Sequence, residues 1–299
     1  MGAVAAEPVV DVLTGRGSSV YYALGVALAS NIARTLPQAK ISVVGSRGSI
    51  ENLERLQGGR GEIAFALGDA LVDAWKGNPE AGFKAPLRKL RGIAGLYPDY
   101  IQIMARADAG IATLSDLRGK RVSVGIRGSA VELNARAILA AAGLSYESFA
   151  TVEYRPFGES VEWMKDRKLD ATLQSAALGA MALRDLASAV DIVLVPVPAE
   201  TVRKIDNAAY LAGVVPANAY RGQTENVPVA AVQNYLVTRD DLPADTVYAI
   251  TKALWTGLDQ LVAAHPAARM IERKRALEGM PVPLHPGAEK YYRETKQIR

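Results

Sequence analysis

Short apolar runs alternate with helical patterns along most of the chain. A β-branched run at 9–13 is followed by a Gly-rich turn and then by apolar residues with helical spacing over 20–36, which predicts a strand, a turn and a helix. The same order recurs from 41–44 and again from 122–124. Strands that alternate with helices are typical of a parallel sheet covered by helices. The pattern therefore predicts an α/β fold.

Two other parts of the pattern concern where elements begin and end. Apolar runs at 93–96 and 100–106 lie on either side of Pro98, which predicts two separate strands. Apolar residues with helical spacing over 247–261 predict one continuous helix.

Three predicted strand-to-helix turns contain the tripeptide Arg-Gly-Ser. The turns are Arg16-Gly17-Ser18, Arg47-Gly48-Ser49 and Arg127-Gly128-Ser129. In open α/β folds the turns after parallel strands lie at the edge of the sheet where ligands bind. The unpaired N–H groups and the dipole at a helix N-terminus favour a carboxylate or phosphate there. We therefore expect an organic anion to bind at these turns.

The candidate ligand-binding residues belong to these turns or to nearby strand ends and helix starts. In the first half they are Gly17, Ser18, Tyr22, Arg47, Gly48, Ser49 and Tyr97, and in the second half they are Arg127, Gly128, Ser129 and Gln174. One or two of the three turn arginines are expected to contact the ligand. The alternative for Ser129 is helix capping, because Ser129 and Glu132 have the spacing of a capping box.

The length of the chain bears on its domain organisation. With 299 residues it is about twice the usual domain size, which predicts two lobes. Residues 7–104 with 232–299 are expected to form lobe 1, and residues 105–231 lobe 2. Extended stretches near 100–106 and 231–238 are the predicted crossover strands. A ligand cleft is expected between the lobes.

Composition excludes several classes of function. The chain has no cysteine and a net charge of +4, with 35 Lys and Arg scattered among 31 Asp and Glu, so thiolate sites and nucleic-acid binding are not expected. No apolar run reaches the roughly 18 residues of a membrane helix. The two histidines, His265 and His285, each precede a proline far from the turns, and the usual catalytic and cofactor motifs are missing. We expect no enzyme activity, cofactor or metal, although a transferase or lyase of the same architecture is an alternative.

A series of longer motifs resembles one known family. In chain order they are Thr14-Gly15 through Tyr21-Tyr22 and Leu24-Gly25, Gly48-Ser49-Ile50-Glu51-Asn52-Leu53, Leu96-Tyr97-Pro98, residues 117–125 with Gly128-Ser129 and 132–136, residues 236–239, and residues 281–288 with Tyr291-Tyr292. Together they resemble the TAXI group of extracytoplasmic solute receptors, which serve tripartite ATP-independent periplasmic (TRAP) transporters. The resemblance extends from about Val10 to Tyr292.

The resemblance implies a two-lobed periplasmic-binding-protein fold of type II character that closes on a ligand by hinge motion. It implies an exported, periplasmic protein whose partner is a TRAP-type cation-coupled permease, and we expect this protein to be a monomer. The small residues at 3–6 resemble the end of a removed signal peptide. Relatives take glutamate-like amino acids or dicarboxylates, and the extra turn arginines indicate at least one carboxylate. The alternatives are a receptor that feeds a membrane sensor kinase and a receptor for an aromatic or hydroxylated acid held by Tyr22 and Tyr97.

Overall fold

A computed structural model describes residues 9–17 and 19–298. Its strands are β1 (Val9–Leu13), β2 (Lys40–Val44), β3 (Ile63–Leu67), β4 (Leu90–Arg106), β5 (Arg121–Ser123), β6 (Thr151–Glu153), β7 (Ala171–Ala176), β8 (Ile192–Val195), β9 (Tyr210–Val215) and β10 (Val227–Arg239). Its helices are α1 (Val20–Thr35), α2 (Ser49–Gln57), α3 (Gly68–Lys76), α4 (Ala130–Ala141), α5 (Phe157–Lys165), α6 (Met181–Ala189), α7 (Ala199–Val202), α8 (Ala244–Thr256), α9 (Leu258–Ala264) and α10 (Pro286–Glu294). Ser18 and the predicted signal remnant at 3–6 lie outside the described residues. No helix among the described residues is long and apolar enough to cross a membrane.

The chain divides into two compact units. Unit 1 contains the residues up to Tyr97 and those from Gln233 onward, and unit 2 is Pro98–Val232. The chain therefore passes from one unit to the other within β4 and returns within β10. Pro98 lies inside β4, which is one strand of 17 residues where the sequence predicts two.

Unit 1 contains a mainly parallel sheet. Strand β1 pairs in parallel with β2 and β3, and the unit 1 part of β10 pairs antiparallel with β3, with Tyr235 opposite Ala66. Every side chain of β3 is buried, as expected for a central strand with both faces covered. Helix α1 packs against β2, α8 and α9, and α2 packs against β3.

Helices α8 and α9 form where the sequence predicts a single helix, and the interruption is at Gly257. The amide nitrogen of Asn31 in α1 donates to the Gly257 carbonyl at 2.9 Å. A Cβ at position 257 would lie 1.9 Å from that nitrogen, so only glycine fits. A buried contact with α1 therefore ends α8.

Unit 2 has a mixed sheet. Strand β5 pairs in parallel with β6 and β7, while β4 pairs antiparallel with β7 and β8. Strand β9 pairs antiparallel with the Val227–Val232 part of β10. Helix α4 packs on β7, and α5 packs against α6 and β7. The parallel strands β5, β6 and β7 consequently end at the same edge of the unit 2 sheet.

Both histidines cap short helical segments in unit 1. The Nδ1 atom of His265 accepts the N–H of Ala267, and the Nδ1 atom of His285 accepts the N–H of Gly287, each at 3.1 Å. In each case proline occupies the first helical position, which has no N–H to satisfy. Burial lowers the pKa of both imidazoles below the ordinary value. The His-Pro pairs therefore act in the structure as helix caps.

Candidate ligand-binding site

In unit 1 the turns after β1 and β2 lie side by side. The two strands are parallel neighbours, and the Thr14 N–H donates to the Val44 carbonyl at 2.9 Å. Across the turns, the Ser46 hydroxyl donates to the Thr14 carbonyl at 2.7 Å. Gly17 and Gly48 line open space, because a Cβ built on either would meet nothing within 4 Å.

Asn52, on the buried face of α2, fixes these turns. Its Nδ2 donates to the carbonyls of Thr14 at 3.0 Å and Phe65 at 2.9 Å, and its Oδ1 lies 2.7 Å from the Ser46 hydroxyl. One fully buried amide thus ties the ends of β1 and β3 to the turn before α2. Asn52 was not selected from the sequence as a site residue; with Ser49 it is one of two polar residues on the buried face of α2, beside Leu53 and Leu56.

A second polar network connects the start of α1 to the strands where the chain leaves and re-enters unit 1. The Tyr21 hydroxyl donates to Asn234 Oδ1 and lies 3.5 Å from the Ser49 hydroxyl. Asn234 in turn donates to the Tyr97 carbonyl at 3.0 Å. Ser49 Oγ accepts the Leu67 N–H at 3.0 Å, and Ser49 is buried. Tyr21 and Asn234 were not selected from the sequence; the available signal was an amide inside the apolar run of β10.

The remaining unit 1 candidates have different surroundings. Tyr97 is buried, whereas Tyr22 is half-buried and its N–H donates to the Ser19 hydroxyl that caps α1. Gly48 caps α2 with a φ of 110°. Only glycine adopts that conformation readily, which explains its place in the turn.

Arg47 is exposed and engaged by its own helix. Its backbone N–H and its Nε both lie 3.0 Å from Glu51 Oε2. Partial burial by itself would raise the pKa of Glu51. The hydrogen bonds from Arg47 and the charge of Arg55 outweigh it and hold this pKa below its ordinary value. Glu51 therefore stays ionised and neutralises the Arg47 guanidinium.

In unit 2 the turn between β5 and α4 is tightly constrained. Gly125 and Gly128 have φ values of 91° and 69°, and a Cβ on Gly125 would lie 2.9 Å from the Val131 side chain. Ser129 caps α4 by accepting the Glu132 N–H at 3.3 Å. Glu132 accepts the Gly128 N–H at 3.2 Å, one residue before the position that the capping box predicts. Ser129 therefore has the capping role that the sequence left open.

Arg127 projects from the same turn and stacks on an aromatic ring. Its guanidinium carbon lies 3.6 Å from the centre of the Tyr154 ring. Within the described part of the chain, no side chain forms a hydrogen bond or ion pair with this guanidinium. Tyr154 directly follows β6, the parallel neighbour of β5, so both residues lie at the same edge of the sheet.

At the end of β7, Gln174 is buried and its Nε2 donates to the Thr172 hydroxyl at 2.8 Å. The next residue, Ser175, is half-buried and donates to Asn134 Oδ1 at 2.6 Å. Asn134 donates to the Tyr210 hydroxyl at 2.8 Å. The contacts from Ser175 through Asn134 to Tyr210 join β7, α4 and β9 at the edge that carries Arg127. The predicted site residue Gln174 bonds within β7 and is not part of these contacts.

Unit 2 also contains a pocket of about 330 Å³, lined by residues that include Arg106, Asp108 and Arg167. It lies near the amino-terminal ends of β5 and β7, away from the turn at 125–129. The Arg106 donors are already engaged by Asp108 at 2.8 Å, by the Leu169 carbonyl and by Asp170 at 3.5 Å. None of the predicted ligand-binding residues lines this pocket.

The fold matches solved structures of periplasmic binding proteins. PhnD1 from Prochlorococcus marinus (MIT 9301), in complex with methylphosphonate, aligns with a TM-score of 0.62 and 13% identity over 98% of this chain and 100% of that chain. MatC from Rhodopseudomonas palustris with bound malate aligns with a TM-score of 0.60 and 14% identity over 97% of each chain. The periplasmic aliphatic sulphonate binding protein SsuA from Escherichia coli aligns with a TM-score of 0.52 and 13% identity over 97% of this chain and 79% of that chain.

These comparisons define the class of protein. The chain has the α/β fold of the two-lobed periplasmic binding proteins, which confirms the predicted fold class. The chain belongs to the NMT1-like family, whose model matches residues 12–295.

Proposed function

We propose that this protein is a periplasmic solute-binding receptor of the TAXI group that captures a small organic anion for a membrane transporter. Membership of the NMT1-like family and a fold shared with periplasmic binding proteins support the receptor function. The bound molecules named for two of the compared structures, methylphosphonate and malate, are both small acids. The proposal includes no catalytic residue, cofactor or metal.

The observation that carries the proposal is the turn at 125–129. It places Arg127, which no carboxylate among the described residues neutralises, beside the N-terminus of a 12-residue helix. A guanidinium offers paired donors that match a carboxylate, and the helix dipole adds to the attraction. A small acid is the ligand class that best fits this arrangement.

The ligand is proposed to be a glutamate-like amino acid or a dicarboxylate. The proposed contacts in unit 1 are Gly17, Ser18, Tyr22, Arg47, Gly48, Ser49 and Tyr97, and those in unit 2 are Arg127, Gly128, Ser129 and Gln174. The unit 1 contacts differ in access to solvent: Gly17 and Arg47 are exposed, Tyr22 and Gly48 are half-buried, and Ser49 and Tyr97 are buried.

The transporter is proposed to be a TRAP-type permease, on the strength of the motifs shared with the TAXI group. An ABC-type transporter is the second candidate, because one structure of the same fold is described as a putative L-cystine ABC transporter. Reconstitution of uptake separates the two: a TRAP-type system responds to a cation gradient, and an ABC-type system requires ATP.

The ligand class is tested on protein purified from the periplasm without added ligand. Native mass spectrometry identifies any retained molecule, and a thermal-shift screen compares L-glutamate, succinate, malate, methylphosphonate and 4-hydroxybenzoate. A ligand at 100 times its Kd should stabilise the folded state by about 2.7 kcal/mol. Chemical turnover of a bound acid would favour the enzyme alternative, and the absence of stabilisation by every acid would contradict the proposal.

A further inference from the structure

We propose that Tyr154 is a positioning residue that holds Arg127 in place as the anchor for the acidic group of the ligand. This inference rests on the proposed function, because it concerns the same turn at 125–129. It adds a residue that the sequence motifs do not indicate, and it assigns the charged contact to one of the three turn arginines.

Arg127 and Tyr154 form a stack between two neighbouring strand ends of the unit 2 sheet. Strands β5 and β6 are parallel neighbours, so the turn after β5 and Tyr154 after β6 emerge at the same edge. The Arg127 guanidinium carbon lies 3.6 Å from the centre of the Tyr154 ring, within the range of a cation–π contact. The ring therefore limits the directions that an otherwise exposed side chain can take.

The stacked Arg127 guanidinium keeps its hydrogen-bond donors available for a ligand. A guanidinium stacked on a ring uses its flat face, so its N–H donors, which lie in the plane of the group, stay available for a planar carboxylate. Holding the side chain in advance reduces the rotamer entropy lost on binding. The guanidinium combines a positive charge with paired donors, and a neutral amide lacks the negative charge that matches them. Arg127 should therefore favour ligands with a carboxylate over their neutral amides.

The Tyr154 ring is itself supported by Tyr146 and, through it, by Glu132. The Tyr146 ring packs edge-on against Tyr154, with ring centres 6.0 Å apart. The Tyr146 hydroxyl donates to Glu132 Oε1 at 2.7 Å, and burial together with this hydrogen bond raises the pKa of Tyr146, which keeps the hydroxyl protonated. Glu132 also accepts the Gly128 N–H. The buried Glu132 carboxylate thus holds the turn that carries Arg127 directly and supports the Tyr154 ring through Tyr146.

The test measures the affinity for L-glutamate and for succinate by calorimetry. Arg127→Ala should weaken binding of the preferred probe by roughly 10- to 150-fold, the range for a lost hydrogen bond to a charged group. Tyr154→Leu should weaken it by roughly 2- to 30-fold, the range of a cation–π contact. Tyr154→Phe, which keeps the ring, should bind like the wild type. The double variant should bind like Arg127→Ala alone, because the ring acts only through the arginine.

A matched control removes a cation–π pair elsewhere in the chain. The Arg88 guanidinium lies over the Trp75 ring at 4.6 Å in unit 1, and Arg88→Ala should leave affinity unchanged. A second readout needs no ligand. In NMR spectra of the unliganded protein, the Arg127 side-chain protons should be shifted upfield by the Tyr154 ring, and this shift should persist in Tyr154→Phe and disappear in Tyr154→Leu.

The outcomes separate this inference from the proposed function. If the wild type binds a probe but Tyr154→Leu binds it equally well, or if the two single substitutions add independently, the positioning role is overturned while the receptor function stands. If the wild type binds neither probe, the proposed ligand class fails and Arg127 has no such acid to anchor. A missing upfield shift in the wild type overturns the positioning role whether or not a probe binds.

Discussion

The turns at 45–49 and 125–129 share the tripeptide Arg-Gly-Ser but use it differently. In unit 1 the glycine caps α2, so the arginine is the residue directly before the cap. In unit 2 the serine caps α4, so the arginine lies one residue further from the helix. In both turns the glutamate three residues after the cap accepts the N–H of the residue before the cap.

This one-residue shift decides the charge that each turn presents. In unit 1 the residue reached by Glu51 is Arg47 itself, so the carboxylate also pairs with the guanidinium. In unit 2 the residue reached by Glu132 is Gly128, and Arg127 turns to the Tyr154 ring instead. Identical tripeptides thus produce one neutralised arginine and one that keeps its charge available.

The largest expected difference between the turns is in anion affinity. Arg127→Ala should weaken binding of the preferred acid by roughly 10- to 150-fold, whereas Arg47→Ala should weaken it by less than about threefold, because Glu51 already satisfies Arg47. Calorimetry on the two variants measures this. Equal losses of affinity would mean that the turns act alike.

The two glutamates should also differ in their contribution to stability. Glu132 is fully buried and receives the Gly128 N–H, the Tyr146 hydroxyl and Arg136, so Glu132→Ala should lower the free energy of unfolding by about 2 kcal/mol. Glu51→Ala, which breaks ion pairs at the surface, should cost about 0.5 kcal/mol. Urea denaturation of both variants gives the comparison, and similar costs would contradict it.

Acidification should affect the units unequally, because both histidines of the chain lie in unit 1. Burial is the main cause that lowers the pKa of His285, which also accepts a backbone hydrogen bond as a cap. Among its neighbours, Arg91 lowers this pKa further, whereas the Leu242 backbone and Asp240 raise it. Because this pKa is lower in the folded protein, His285 takes up its proton at a higher pH in the unfolded chain than in the folded one. The contribution of neutral His285 to the free energy of unfolding is therefore complete above about pH 6.5 and declines as the pH falls below that value.

Hydrogen exchange between pH 7.5 and pH 5 measures this difference. Exchange in α10 should increase relative to exchange in α4 as the pH falls, after correction for the intrinsic rate. His285→Asn should reduce the difference, because asparagine caps helices without titrating in this range. An equal response of α4 and α10 in the wild type would count against the histidine explanation.

The smallest expected effect comes from giving the unit 2 turn a carboxylate like that of unit 1. Val131 occupies the position four residues after Arg127, as Glu51 does after Arg47. Val131→Glu should offer Arg127 a competing partner and weaken acid binding by about two- to fivefold. Val131→Gln is the neutral control, and the same loss in both variants would show that shape and not charge is responsible.

Sequence patterns predicted the α/β fold class and the strand–turn–helix order around both turns, because these depend on local signals. They did not predict that 90–106 is one strand through Pro98 or that the helical pattern at 247–261 is interrupted. In β4 the chain leaves unit 1 within the strand, and at Gly257 a side chain from α1 occupies the space that a Cβ would need. Both features depend on contacts between segments far apart in the sequence.

The candidate site divides along the same line. The sequence by itself determined the glycines of the turns, the arginines they carry and the capping-box spacing of Ser129 and Glu132, since backbone conformation and capping involve neighbouring residues. Only the tertiary structure decided that Asn52 and Asn234 tie the unit 1 turns together and that Tyr154 lies under Arg127. Those partners come from other strands and helices, and the folded sheet alone determines which of them are neighbours.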